Sequence, residues 1–222
     1  MSKETFALIF NNNKLQDSKL QGKKSDTSCI YFKNVEMQFL MQCSPVIAGL
    51  KASNLLIVPK GSLMMVKKLT ENKRFSYHLL LKKDFKETYL IFDSKRLMAH
   101  LYCKRTRMLL KKIGYENFQL EQLLDAFGKR YQAYQNQAEI FPHEMGVFLE
   151  YPIEDVEGFI FHQGRNYLLN GYWKVYHDPD GKKRLFEEFE YAQEQICKLY
   201  LSGINAEQIL THYSKINTKS IY

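Results

Sequence analysis

The sequence lacks the residue spacings that most directly announce a site. Of its four cysteines, Cys29, Cys43, Cys103 and Cys197, no two form a Cys-x-x-Cys pair, which removes the zinc-ribbon and thioredoxin patterns. Four scattered cysteines also make no disulfide framework. No uncharged apolar run approaches the ~20 residues of a membrane helix. The apolar stretch from Phe6 to Phe10 is too short for the core of a secretory signal. These absences lead to the expectation of a cytoplasmic protein with reduced thiols and no membrane insertion. There is no Walker A loop, no G-x-G-x-x-G and no G-x-S-x-G. The aromatic runs Phe75 to Tyr77 and Tyr89 to Phe92 lack the flanking glycines of an RNA-recognition signature, so no motif supports specific nucleic-acid binding.

What is present suits a self-sufficient globular core. The chain has 222 residues, 45% of them hydrophobic, enough to bury most of its apolar surface without a covalent staple. The formal net charge is +8. Its basic residues fall in short groups, such as Lys67-Lys68, Lys111-Lys112 and Lys182-Lys183-Arg184, a dispersal that reads as ordinary solvated faces.

Periodicity divides the chain. Residues 1–36 are polar and aperiodic and read as a poorly packed N-terminal extension, with Cys29 to Phe32 its best edge-strand segment. Residues 37–216 read as one domain and 217–222 as a C-terminal tail. Asn54 to Pro59 is an apolar run closed by proline, a buried strand. Ser62 to Lys73 reads as a helix. Phe75 to Leu81 and Thr88 to Phe92 read as strands joined by the charged loop Lys82 to Glu87. Asp93-Ser94 offers a helix cap before Lys95 to Cys103 and Lys104 to Ile113, and Gly114 is a helix stop.

The clearest helix is Gln119 to Tyr134, where Leu120, Leu123, Leu124, Phe127, Tyr131 and Tyr134 share a face. Pro142 and Pro152 each stand where a helix can begin, so the segment between them is expected to be helical over about two to three turns. Tyr172 to Tyr176 reads as a strand and Asp178-Pro179-Asp180-Gly181 as a turn. Leu185 to Leu201 is a second amphipathic helix, and Asn205 with Gln208 caps a last one. Separate strand and helix regions predict an α+β fold, a small mixed or antiparallel sheet packed against several amphipathic helices.

Three stretches carry a family resemblance. They are Cys43-Ser44-Pro45 through Lys51 to Leu55, Phe141-Pro142-His143-Glu144-Met145-Gly146 through Tyr151-Pro152 to Phe159, and Gly171-Tyr172-Trp173-Lys174-Val175-Tyr176. In this order they resemble the bacterial domain-of-unknown-function family 3793, marked by Pro-His-Glu and Leu-Gly-Tyr motifs, over roughly Met41 to Gly203. Two positions depart from the pattern: Leu-Gly-Tyr stands here as Leu149-Glu150-Tyr151, and Ala52 replaces the proline usual after the lysine. The resemblance implies no activity and no cofactor.

The candidate site residues come from those stretches. Cys43, His143 and Glu144 are the catalytic candidates: a thiol before a helix start is a potential nucleophile, and an adjacent His and Glu supply a general base with a partner. Adjacent helical residues point about 100° apart and no second histidine follows at i+4, so no metal site is expected. Cys103 and Cys197 read as core packing. Lys51, Tyr151, Lys174 and Tyr176 are candidates for holding a ligand. Lys174 shares a strand face with Tyr172 and Tyr176, opposite Trp173 and Val175. Two classes of function follow. One is a small enzyme or redox/metal accessory protein with a pocket near Cys43 and His143. The other is a non-catalytic binding or regulatory module for an anionic ligand, nucleic acid or protein partner. Cofactor and partner are not named by any motif.

Overall fold

The computed structural model describes residues 34–71, 74–137 and 141–219; the Cys29 to Phe32 segment lies outside them. The fold is α+β. Helix α1 spans residues 34–42 and α2 Ser44–Ile47. Then follow β1 (Ser53–Pro59), α3 (Leu63–Thr70), β2 (Phe75–Lys83), β3 (Lys86–Asp93), α4 (Ser94–Tyr102) and α5 (Lys104–Ile113). The second half holds α6 (Leu120–Gln135), α7 (Met145–Phe148), α8 (Ile153–Phe161), β4 (Leu169–Asn170), β5 (Lys174–Val175), α9 (Pro179–Leu201) and α10 (Ala206–Lys219).

The main sheet is antiparallel, in the order β1-β3-β2, with Ser53 opposite Phe92 and Phe75 opposite Asp93. The two-residue alternation of a strand sends neighbouring side chains to opposite faces, and β3 uses both. Tyr89 and Ile91 enter one core with Phe39, Val46, Val66, Ile196 and Leu210, from α1, α2, α3, α9 and α10. Leu90 and Phe92 enter a second core with Leu97, Leu110, Phe127, Phe148 and Val156, from α4 to α8. Helices therefore cover both faces of the sheet. A third, smaller cluster of Trp173, Val175, Phe186 and Phe189 meets the second through Tyr151, which packs against both.

Several elements differ from their sequence reading. Packing begins earlier than residue 37, since Val35 on α1 is fully buried. The charged loop Lys82 to Glu87 shrinks to a turn at Asp84-Phe85, because Glu87 is buried against the Tyr89 hydroxyl at 2.7 Å and paired with Lys82 at 3.3 Å. Asp178 to Gly181 is a helix start rather than a turn. The Asp178 carboxylate accepts from the Gly181 N–H at 3.0 Å and Pro179 takes the first helical position. The Tyr172 to Tyr176 strand contracts to Lys174–Val175 paired with Leu169–Asn170, the turn between them running through Gly171. A β-carbon on Gly171 would fall 2.4 Å from the Phe186 ring, so the turn can approach that ring only as glycine. Cys103 is not core: it is exposed at the bend between α4 and α5. Cys197 is buried.

The segment between Pro142 and Pro152 carries a single helical turn, α7. It ends in a left-handed residue, Glu150, with φ 55. The Tyr151 N–H donates to the Gly146 carbonyl at 2.8 Å and the Glu150 N–H to the Val147 carbonyl at 3.0 Å, the two bonds of a Schellman stop. The tight turn thus survives the glutamate at position 150.

Candidate functional site: an aromatic-walled cavity

A cavity of about 240 Å³ opens between α7, α8 and the β4–β5 turn. Its walls are aromatic: Phe141, Tyr151, Phe159, Tyr172 and Trp173. Tyr151 and Trp173 stack with ring centroids 4.6 Å apart and planes 23° from parallel. Trp173 in turn meets the Phe186 ring edge-on at 4.6 Å. The wall is held from behind by Asp155, which is 2% exposed. Its carboxylate accepts from the Trp173 indole N–H at 2.8 Å and from the Tyr176 and His177 backbone N–H groups at 2.7 and 3.0 Å. Burying that charge is tolerated because three donors meet it.

Two polar side chains, His143 and Lys174, stand in the lining. His143 lies against the rings of Phe141 and Phe159, with centroids 5.6 and 5.7 Å away. Its Nδ1 is buried without a hydrogen-bond partner among the described residues, an uncommon condition in a packed protein. Lys174 donates to the Gly164 carbonyl at 2.7 Å and sits 5.8 and 5.2 Å from the Phe159 and Tyr167 ring centres. An ammonium has three donors, and the Gly164 carbonyl takes one of them.

The sequence-predicted residues divide accordingly. His143, Tyr151 and Lys174 line the cavity together. Glu144 does not join them: it is 1% exposed, and its Oε1 accepts from the Arg130 guanidinium and, at 3.2 Å, from the Tyr115 hydroxyl. It ties α7 to α6, and among the described residues no hydrogen bond joins it to the His143 Nδ1. Tyr176 packs on the far side of Asp155, its ring stacked on His162 at 5.5 Å and its hydroxyl buried. Lys51 lies behind Tyr151, its ammonium 5.3 Å from that ring and 2.8 Å from the Asn54 amide oxygen. Burial lowers its pKa to about 8, partly offset by the charges of Glu150 and Cys43.

Cys43 belongs to the first core, fully buried beside Val46 and Ile47. Burial pushes its thiol far above the usual thiol range, against the pull of Lys51. A reactive thiolate needs the opposite environment. Among the described residues no three His, Cys, Asp or Glu side chains are grouped to hold a metal ion, and no helix is long and apolar enough to cross a membrane.

The residues missed by sequence reasoning are Asp155, Phe159 and Trp173. Asp155 reads as a first-turn acid of α8, and nothing local reveals that it binds an indole 18 positions away.

Fold and cavity together define an α+β protein with a small aromatic-walled cavity between α7, α8 and the β4–β5 turn. The chain belongs to the family described as a protein of unknown function, DUF3793, whose model matches residues 39–210. That span contains every wall of the cavity. No curated protein and no solved structure matches the chain.

Proposed function

We propose that this protein is a non-catalytic binding module for a planar, one- or two-ring small molecule carrying an anionic group. The observation that carries the reading is the pairing of an aromatic wall, Tyr151 on Trp173, with the Lys174 ammonium and the His143 side chain in the lining of one cavity. Aromatic faces hold a flat ring by stacking, and the two polar groups orient its charged substituent. At about 240 Å³ the space is below the range of drug-sized sites, roughly 300–1,000 Å³, which limits the ligand to one or two rings. Binding is favoured over chemistry because Asp155 in the lining spends both carboxylate oxygens on the Trp173 indole and the Tyr176 and His177 N–H groups, and Glu144 is buried against Arg130 and Tyr115. A general base needs an orienting partner, and His143 has none among the described residues.

Trp173 is the chain's single tryptophan, so its fluorescence reports the site directly. A panel of one- and two-ring aryl carboxylates and phosphates, with uncharged aryl controls, should quench or shift that emission saturably for the anionic members. His143→Ala and Lys174→Gln should weaken binding about tenfold or more, the worth of one charge-assisted hydrogen bond. Equal binding of the uncharged controls, or variants that bind as the wild type does, would remove the reading.

A further inference from the structure

We propose that the exposed face of α5 binds nucleic acid through its phosphate backbone, without sequence preference. The motivation is a charge segregation that net charge hides. Residues 94–115 contain no aspartate or glutamate and seven Lys or Arg. Two of the seven are consumed within the fold: Arg96 pairs with Glu150, and Arg105 pairs with Glu154 and Glu157. On α5 the remaining cations, Lys104, Arg107, Lys111 and Lys112, are all exposed, and no acid among the described residues lies within ion-pair distance of them.

The helix presents them together. At 100° per residue these four positions fall within an arc of about 140°, and the opposite arc buries Thr106, Leu109 and Leu110 in the core. Lys104 and Lys111 stand about 10.5 Å apart along the axis, a spacing that lets separate side chains meet separate phosphates. The Arg107 guanidinium lies over the Phe118 ring, 4.7 Å from its centre. That stacking holds the planar fork in place before a ligand arrives, and a fixed fork suits a phosphate's paired oxygens. Glu116, the first acid beyond α5, is exposed past Gly114 at the end of the stripe. Phosphate backbone is favoured over a bilayer because the apolar side of α5 is spent in the core, leaving only Met108 on the basic face as an exposed large apolar side chain. Interfacial membrane helices need a broad apolar face to insert.

The test uses the full chain and fluorescein-labelled DNA of about 30 nucleotides, single-stranded and duplex, read by fluorescence anisotropy at about 50 mM and about 200 mM salt. Binding is expected at the lower salt and falls steeply at the higher. The variant with Lys104, Arg107, Lys111 and Lys112 all changed to Gln should bind at least tenfold more weakly, with a log–log salt slope shallower by about 3, from roughly 0.7 to 0.9 per phosphate contact. A charge-matched control, Lys67, Lys68, Lys86 and Lys129 to Gln, should keep most of the affinity. Circular dichroism confirms that both variants fold. Equal losses in the two variants would reduce the effect to net charge and overturn the proposal. No DNA binding by the wild type overturns it as well, as does preferential binding to vesicles containing phosphatidylserine.

Discussion

Tyr151 stacks on Trp173, ring centroids 4.6 Å apart, and the Lys51 ammonium lies 5.3 Å from the centre of the same tyrosine ring. The cavity wall is thus one ring thick in front of a buried cation. Lys51 is 4% exposed, and its hydrogen bond to Asn54 and proximity to Glu150 place it at the junction between β1 and the α7 stop.

That burial sets a pH dependence. Below pH 8 both native and unfolded lysines carry a proton, and the native state bears the cost of enclosing the charge. Between about 8 and 10.5 the native lysine is neutral while the unfolded one still binds a proton, so this residue's contribution to stability rises with pH, by up to about 1.4 kcal/mol per unit. Above 10.5 it is flat. Cys43 and the buried tyrosines work in the other direction, since their native values are raised. The difference between wild type and Lys51→Met therefore isolates the lysine. Denaturant unfolding across pH 7 to 10 should show wild type gaining on the variant as pH rises. A constant difference would mean that the ammonium stays protonated in the native state.

Glu150 tests what a left-handed position costs. Its φ of 55 is the conformation a glycine adopts freely and other residues at about 1–2 kcal/mol. Its carboxylate compensates by accepting from the Ala52 backbone N–H and pairing with Arg96 at 3.7 Å. Glu150→Ala keeps the strain and loses both contacts, so it should destabilise by about 1–3 kcal/mol. Glu150→Gly loses the contacts and relieves the strain, and should lie closer to wild type. Urea unfolding orders the three. An alanine variant as stable as the glycine variant would show that backbone strain is absent at this position.

The secondary structure was legible wherever one face of an element meets the core. On α6, Leu123, Leu124, Phe127 and Tyr131 are buried as the 3.6-residue period requires, and Asn205 and Gln208 exchange the two hydrogen bonds of a capping box at 3.3 and 2.9 Å. The cavity was only half legible. His143, Tyr151 and Lys174 stood out as polar or amphipathic residues in aromatic surroundings. Trp173 and Asp155 did not, because their relationship exists only once β5 packs on α8. Cys43 was misleading for the same reason: a thiol before Ser-Pro looks like a helix-end nucleophile, but α1 and α9 close over it.

Thiol labelling separates those environments. Cys103 is exposed, whereas Cys43 and Cys197 are buried with thiols raised by burial. Iodoacetamide at pH 8 followed by peptide mapping should modify Cys103 within minutes and the other two only after denaturant is added. Modification of Cys43 at the rate of Cys103 in the folded protein would restore it as a reactive group.

Asp155 is the residue on which the cavity wall depends most. One carboxylate oxygen accepts from the Trp173 indole at 2.8 Å, and the other accepts from the Tyr176 and His177 N–H groups at 2.7 and 3.0 Å. Asp155→Ala strands three buried donors, each costing about 1–3 kcal/mol when unpaired, and should destabilise severely. Asp155→Asn is more informative. Its amide oxygen can keep the two backbone donors, but its NH₂ then faces the indole N–H, donor against donor. Trp173 should be released, with its emission shifted to longer wavelength and a loss of about 2 kcal/mol, while the β4–β5 turn stays in place. Adding Trp173→Phe removes the opposing donor, so the double variant should recover part of that loss relative to additivity, a coupling of roughly 0.5–3 kcal/mol. Denaturant unfolding of the four proteins closes the cycle. Strict additivity would mean that the indole–carboxylate bond does not hold the wall, and that Trp173 is kept in position by Phe186 and Tyr151 alone.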